Sequence, residues 1–162
     1  KLRILRDHGM TPDRAYWHER VGFNYRITNL QASVGHAQLK RVHDTLRRNR
    51  EISEMYRVVL QGIPGVRFPP DMDGVYSPVV WLSSVLVPAE RRNELIRAAL
   101  RADIELRPFF HSLSTLPPYQ AWARHCPNSL MLSATGVNLP TSRAVDTQAV
   151  ERIAEVFRNV LA

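Results

Sequence analysis

The sequence predicts an α/β protein in which a long helical arm precedes a small α+β domain, two layers deep, with a mixed sheet. Three observations predict this class. Apolar residues recur at helical spacing from Leu30 to Val59, proline and glycine are concentrated in residues 62–70, and short apolar runs then alternate with helical patterns. Such alternation of strands and helices is typical of a sheet covered by helices.

The arm begins with a helix end in residues 1–10 that Gly9 terminates, followed by a polar loop. Thr28 or Asn29 is suited to cap the next helix, because both side chains carry an oxygen that accepts a backbone N–H bond. The apolar pattern that follows is longer than an ordinary helix. We therefore expect a kink or break near Arg47 to Asn49.

The small domain is predicted as strands and helices in alternation, with a last helix capped by Asp146 or Thr147. Valine-rich and other apolar runs predict the strands, and the spacing of leucine, isoleucine and alanine predicts the helices. In chain order the elements are strands at 66–68 and 79–87, a helix at 89–102, a strand at 104–107, a loop at 109–121, a short helix at 129–135, a strand at 137–139 and the last helix.

Charge and cysteine content favour an ordinary soluble protein. The formal net charge is +7, but the arginines are scattered and their two short clusters have acidic neighbours. We therefore expect a solvated basic surface and no nucleic-acid partner. No apolar run reaches the length of a membrane span, so no membrane partner is expected. The single cysteine, Cys126, fits a cytoplasmic protein.

A complete catalytic set is not apparent in the sequence. The six histidines lack metal-site spacing, so no metal is expected. Neither a glycine-rich phosphate loop nor a serine nucleophile motif occurs. The only lysines are Lys1 and Lys40, and neither lies in the enclosed apolar setting that lowers a lysine pKa for Schiff-base chemistry. We assign no catalytic residue within the chain.

Residues 22–29, which we name the phosphate segment, crowd polar side chains at a helix entrance. The amide of Asn24, the guanidinium of Arg26 and the free backbone N–H groups of a helix start together suit a phosphate. A helix start that is simply well capped is the alternative interpretation.

Residues 107–119, which we name the substrate loop, combine Arg107, His111 and Tyr119 with two phenylalanines between prolines. Such a composition suits a pocket with apolar walls and a few polar groups. A loop that is packed only by its own aromatic side chains is the alternative.

Five features of the sequence, in chain order, form a set of motifs. They are RDHG at 6–9, GFNYRITNLQA at 22–32, Trp81, RPFFH at 107–111 and NLPTS at 138–142. This set resembles the motifs of the DegT/StrS-type (DegT/DnrJ/EryC/StrS) sugar aminotransferases. Within that family it is most similar to perosamine-synthase-like enzymes, which aminate a GDP-linked 4-keto-6-deoxy sugar. Ser112 and Ser114 depart from the family pattern, which has proline and histidine there.

The resemblance implies the C-terminal part of a fold-type-I aminotransferase that depends on pyridoxal phosphate. Residues 1–61 would then be the end of the large cofactor domain with its connecting helices, and 62–162 the small domain. It also implies a nucleotide-sugar substrate, an amino donor that is typically glutamate, and a homodimer with the active site at its interface.

The resemblance further implies roles for individual residues. Asn24 would reach the cofactor phosphate of the partner subunit, with Arg26 beside it. Arg107, His111 and Tyr119 would lie by the sugar nucleotide. The Schiff-base lysine would lie upstream of residue 1, so these 162 residues alone are expected to be inactive.

Two other functions stay open at this point. Some relatives replace the lysine with histidine and act as dehydratases on the same sugars, and the upstream residue decides between the two. A non-catalytic, stand-alone small domain that binds a partner is the third hypothesis. It is supported by the absence of a suitable lysine and by the charge of +7, but it would leave an apolar helix exposed.

Overall fold

A computed structural model describes residues 1–70 and 79–162. The chain forms two compact units, Lys1–His43 and Asp44–Ala162. The helix α3 begins just before this division and contributes its buried residues to the second unit. The functional division predicted at residue 61 stays a prediction.

The first unit contains two helices. Helix α1 (Leu2–Leu5) is a single turn, shorter than the helix end predicted over 1–10. Gly9 follows with a φ of 75°, a conformation that glycine adopts without steric cost. Helix α2 (Asn29–Leu39) has no buried residue, so nothing in this unit covers its apolar side chains.

The start of α2 confirms the predicted cap. Oγ1 of Thr28 accepts the N–H of Gln31 at 3.2 Å, and the N–H of Thr28 donates to Oε1 of Gln31 at 2.9 Å. This reciprocal pair is a capping box, which satisfies two donors that a helix start otherwise leaves unpaired.

The break in the long helical pattern lies earlier than predicted. Helix α2 ends at Leu39 and α3 (Val42–Leu60) begins three residues later, so the break expected near Arg47 to Asn49 is wrong. Those residues continue α3, because Arg47 and Arg48 form ion pairs with acids three or four positions away, a spacing that stabilises a helix.

The second unit is built on a three-stranded sheet in the order β1–β3–β2. The strands are β1 (Ser83–Leu86), β2 (Arg107–Pro108) and β3 (Gly136–Leu139). Both pairings are antiparallel, so among the described residues the sheet is antiparallel and not mixed. The class of a small sheet layered with helices is confirmed.

The strand boundaries correct several predictions. The run at 79–87 forms a strand only over β1, because its pairing with β3 ends where β3 ends. The strand predicted at 104–107 forms at β2, and Ile104 and Leu106 are buried without pairing. The strand predicted at 66–68 is reduced to a single antiparallel bridge between Arg67 and Leu86. The prediction for β3 is confirmed.

Helices cover the sheet and supply most of the core. Their part of the core comes from α3, α4 (Ala89–Arg101) and α6 (Thr147–Leu161), whereas α5 (Pro127–Thr135) has no buried residue. Helix α6 buries five residues, and Asp146 caps it by accepting the N–H of Ala149 at 2.8 Å, as predicted. The largest fully buried side chains are Tyr56, Phe157, Ile52, Leu60, Leu95, Val85, Val137 and Val150.

Candidate functional site

The phosphate segment is held against the turn that follows α1. Backbone hydrogen bonds of 2.8–3.1 Å join residues 5–8 to residues 23–25 and form an antiparallel bridge between Asp7 and Asn24. Gly9 and Gly22 permit this approach, since a Cβ on Gly22 would overlap the backbone nitrogen of Gly9. Backbone contacts therefore fix the position of Asn24.

The same bridge brings Asp7 next to Arg26. Nε of Arg26 lies 3.2 Å from Oδ1 of Asp7. Among the described residues no donor is aligned for a hydrogen bond to that buried oxygen. The two charged groups are therefore close enough for an ion pair but are not joined by a hydrogen bond. The side chain of Arg26 is 57% exposed, so the pair contributes little to stability and leaves the guanidinium accessible to an anion.

Asn24 and Arg26 are also joined directly. Oδ1 of Asn24 accepts the backbone N–H of Arg26 at 3.4 Å. Because the amide oxygen accepts this bond and Asn24 is exposed, the amide nitrogen remains available as a donor. The segment thus presents a neutral amide donor and a cationic guanidinium side by side, a combination that suits phosphate oxygens.

The helix start itself does not require a ligand. The capping box of Thr28 and Gln31 satisfies it with side chains alone, which is what the alternative interpretation predicts. Asn24 and Arg26 lie outside the capping box. The helix cap and the candidate phosphate site therefore use different hydrogen-bond donors. The acid Asp7 was missed at the sequence level, although it lies within the matching run RDHG at 6–9.

The substrate loop leaves the sheet at β2. Arg107 is paired with Asn138 across the sheet, and its Nε donates to Glu105 at 2.9 Å. His111 is exposed, and Tyr119, about half exposed, lies in a 3₁₀ turn over Pro117–Trp122. Another 3₁₀ turn spans Leu113–Thr115, so the predicted loop is ordered into turns.

The three predicted substrate residues share this segment, but no hydrogen bond or ion pair joins their side chains in the part of the chain that the structure describes. The alternative of a loop buried by its own aromatics is only partly met. Phe109 and Phe110 contact each other edge to face with ring centroids 6.4 Å apart. Phe110, Leu113 and Trp122 are nevertheless mostly exposed.

A cavity of about 470 Å³ lies beside Arg107 in the second unit. Arg107, Arg152, Asp103 and Asn138 are among its lining residues, whereas His111 and Tyr119 are not. Asn138 is buried, and its Oδ1 accepts the hydroxyl of Ser84 at 2.7 Å. Arg107 therefore faces different surroundings from the other two predicted substrate residues.

Lys1 and Lys40 are both exposed. Within residues 1–70 and 79–162 no group of three or more metal-binding side chains comes together. No helix in the same ranges combines the length and apolar character needed to cross a membrane.

Comparison with known proteins gives consistent relatives. The chain is similar to the GDP-perosamine synthases of Vibrio cholerae (35% identical over 98% of this chain) and Caulobacter vibrioides (32% identical over 99%). In structure it is similar to the aminotransferase TlmJ from Streptoalloteichus hindustanus, with a TM-score of 0.88 over 99% of this chain and 43% of that one. At 24% identity that likeness concerns the fold alone.

The chain spans 44% of the length of each of the two curated relatives. The similarity nevertheless extends over nearly all of the chain itself, and it includes both the phosphate segment and the substrate loop. A family model described as the DegT/DnrJ/EryC1/StrS aminotransferase family matches residues 1–158. This match confirms the resemblance, and the chain belongs to that family.

Proposed function

We propose that the chain is the C-terminal portion of a pyridoxal-phosphate-dependent aminotransferase that transfers an amino group from glutamate to a nucleotide-linked keto-deoxy sugar. Aminotransferases of this family depend on pyridoxal phosphate, and the two curated relatives above are GDP-perosamine synthases. The observation that carries the proposal is the adjacency of Asn24 and Arg26 beside Asp7.

The residues present fit the phosphate end of this cofactor. The amide nitrogen of Asn24 and the accessible guanidinium of Arg26 would hold phosphate oxygens through one neutral and one charge-assisted hydrogen bond. Asp7 limits the directions in which Arg26 extends. When bound, the cofactor supplies an electron sink that stabilises the carbanion formed during amino transfer.

The substrate loop is proposed to bind the sugar nucleotide. Arg107 supplies a cation, His111 an imidazole ring that can donate or accept a hydrogen bond, and Tyr119 a flat apolar face with a hydroxyl. All three side chains are exposed, so they are available to a ligand. The chain alone is proposed to be inactive, because Lys1 and Lys40 lack the enclosed setting that Schiff-base chemistry needs.

We also propose that the whole protein is a cytoplasmic homodimer in which the phosphate segment serves the partner's cofactor. Exposed apolar side chains on and before α2 support this, because such surfaces on soluble proteins mark contacts with other protein surfaces. They include Val21, Phe23, Tyr25, Ile27, Leu30, Val34 and Leu39. The lone cysteine, Cys126, fits the proposed compartment.

Removal of the phosphate donors from the full-length enzyme tests the proposal. We expect Asn24→Ala and Arg26→Ala to weaken cofactor retention by about tenfold or more each, since a hydrogen bond to a charged group contributes roughly 1.5–3 kcal/mol. Retention is measured as the cofactor absorbance that remains with the protein after dialysis against increasing volumes of cofactor-free buffer.

The matched control is Asn159→Ala, which makes the same chemical change at an exposed position of α6. It should retain the cofactor like the unaltered enzyme. Retention by Asn24→Ala equal to that of the control would remove the role assigned to Asn24. Sedimentation of the full-length protein as a monomer at micromolar concentration would contradict the dimer.

A further inference from the structure

Three serine hydroxyls connect the substrate loop to α5. Oγ of Ser112 lies 2.8 Å from Oγ of Ser114 and 2.8 Å from Oγ of Ser129. Ser112 is only 6% exposed, so its hydroxyl must find its partners within the protein. Ser112 and Ser114 are the two positions at which the chain departs from the family motif, and Ser129 lies in the first turn of α5.

The direction of each bond in this hydroxyl chain follows from counting protons. A serine hydroxyl has one proton to donate and two lone pairs that accept. Ser129 donates its proton to the backbone carbonyl of Cys126 at 3.1 Å, so it accepts from Ser112. Ser112 has then used its own proton and accepts from Ser114. The chain therefore runs from Ser114 through Ser112 and Ser129 to a backbone carbonyl.

The backbone of Ser112 is also held by hydrogen bonds. Its carbonyl accepts the N–H of Thr115 at 2.9 Å and the hydroxyl of Thr115 at 2.7 Å. These bonds close the 3₁₀ turn over Leu113–Thr115 on Ser112. Ser112 thus joins two parts of the fold, a turn of the substrate loop and the start of α5, directly after the exposed His111.

We propose that Ser112 is a positioning residue for the nucleotide-sugar substrate, acting through the hydroxyl chain to hold the substrate loop in place. The inference rests on the proposed function, in which His111 and Tyr119 contact that substrate. Exposed side chains on a loop bind a ligand more tightly when the loop does not have to be ordered on binding. The hydroxyl chain supplies this order before the ligand arrives.

The test uses Ser112→Ala and Ser129→Ala in the full-length enzyme. Both variants should speed amide hydrogen exchange in a peptide covering residues 109–122. Both should raise KM for a GDP-linked 4-keto-6-deoxy sugar by about fivefold, the scale of one lost hydrogen bond. KM for glutamate should change less. Ser129→Thr keeps a hydroxyl and should restore both readouts.

The control is Ser133→Ala, one helical turn further along α5 and outside the hydroxyl chain. His111→Ala reports separately on whether the substrate loop binds the sugar at all. Exchange in Ser112→Ala equal to that in Ser133→Ala overturns the proposal. Faster exchange with an unchanged sugar KM also overturns it. In that second case, a raised sugar KM in His111→Ala leaves the proposed function standing. An unchanged sugar KM in His111→Ala contradicts the proposal that the substrate loop binds the sugar.

Discussion

At the scale of single residues, the sequence indicated which side chains could bind a ligand but not which distant residues they contact. Asn24 and Arg26 were assigned from residue types and motif, and the structure places them in contact. Asp7 became their neighbour only through a backbone bridge across 17 positions of the chain, from Asp7 to Asn24. Ser112 and Ser129 are likewise 17 residues apart. Neither pairing has a spacing that periodicity reveals.

The buried hydroxyl of Tyr56 offers a test of stability at this scale. It donates to the carbonyl of Pro140 at 2.9 Å, and Tyr56 is fully buried on α3. We expect Tyr56→Phe to lower the free energy of unfolding by about 1 kcal/mol, the net contribution of one such bond. Urea unfolding of the chain near pH 7 measures it, with Tyr119→Phe as the control at an exposed tyrosine.

The same residue predicts a pH dependence. Burial raises the pKa of Tyr56 above its usual value of 10.0. The folded state therefore holds this proton more tightly than the unfolded state does. The resulting stability is complete below about pH 10 and is lost as the pH rises toward the folded-state pKa. Urea titrations between pH 9 and 11 should show a decline that Tyr56→Phe lacks. Parallel declines in both proteins would contradict the assignment.

At the scale of elements, the helix caps were predictable because they depend on residues within one turn of each other. Thr28 and Asp146 were both named, and both cap. The break between α2 and α3 and the position of β2 were misjudged. An arginine-rich stretch can continue a helix when its acids lie three or four residues away, and β2 forms where β3 offers a partner.

The two caps should differ in their effect on stability. Asp146→Ala removes the cap of a helix that buries five side chains, so it should lower the free energy of unfolding by about 1 kcal/mol. Thr28→Ala removes the cap of a helix that buries none. It should fray the first turn of α2, seen as faster amide exchange there, and leave urea unfolding of the second unit unchanged. Equal losses in urea unfolding would contradict this account.

At the scale of the whole molecule, the two units differ in how much they bury. Gly9 is the only buried residue in the first unit, among residues 1–43, whereas the second unit holds the hydrophobic core. A segment with few buried contacts opens at little cost in free energy. We therefore expect the first unit of the isolated chain to open more readily than the second.

Limited proteolysis of the isolated chain checks this difference. Trypsin should cut first within residues 11–43, after Arg14, Arg20, Arg26, Lys40 or Arg41, and leave a resistant product that begins in or near α3. In the full-length protein the same sites should be protected, because the proposed dimer covers them. First cuts within α4 or α6 of the isolated chain would contradict the assignment of the core.

The sequence by itself determined the family, the helix caps and, apart from the strand expected at 66–68, the order of helices and strands. It also singled out Asn24 and Arg26 as candidates for binding a phosphate. All of these depend on motifs or on neighbours within a few residues. The tertiary structure alone decided the antiparallel pairing of the sheet, the ion pair of Asp7 with Arg26 and the hydroxyl chain through Ser112. The physical reason is that these contacts join residues distant in the chain, whose meeting depends on how the whole backbone folds.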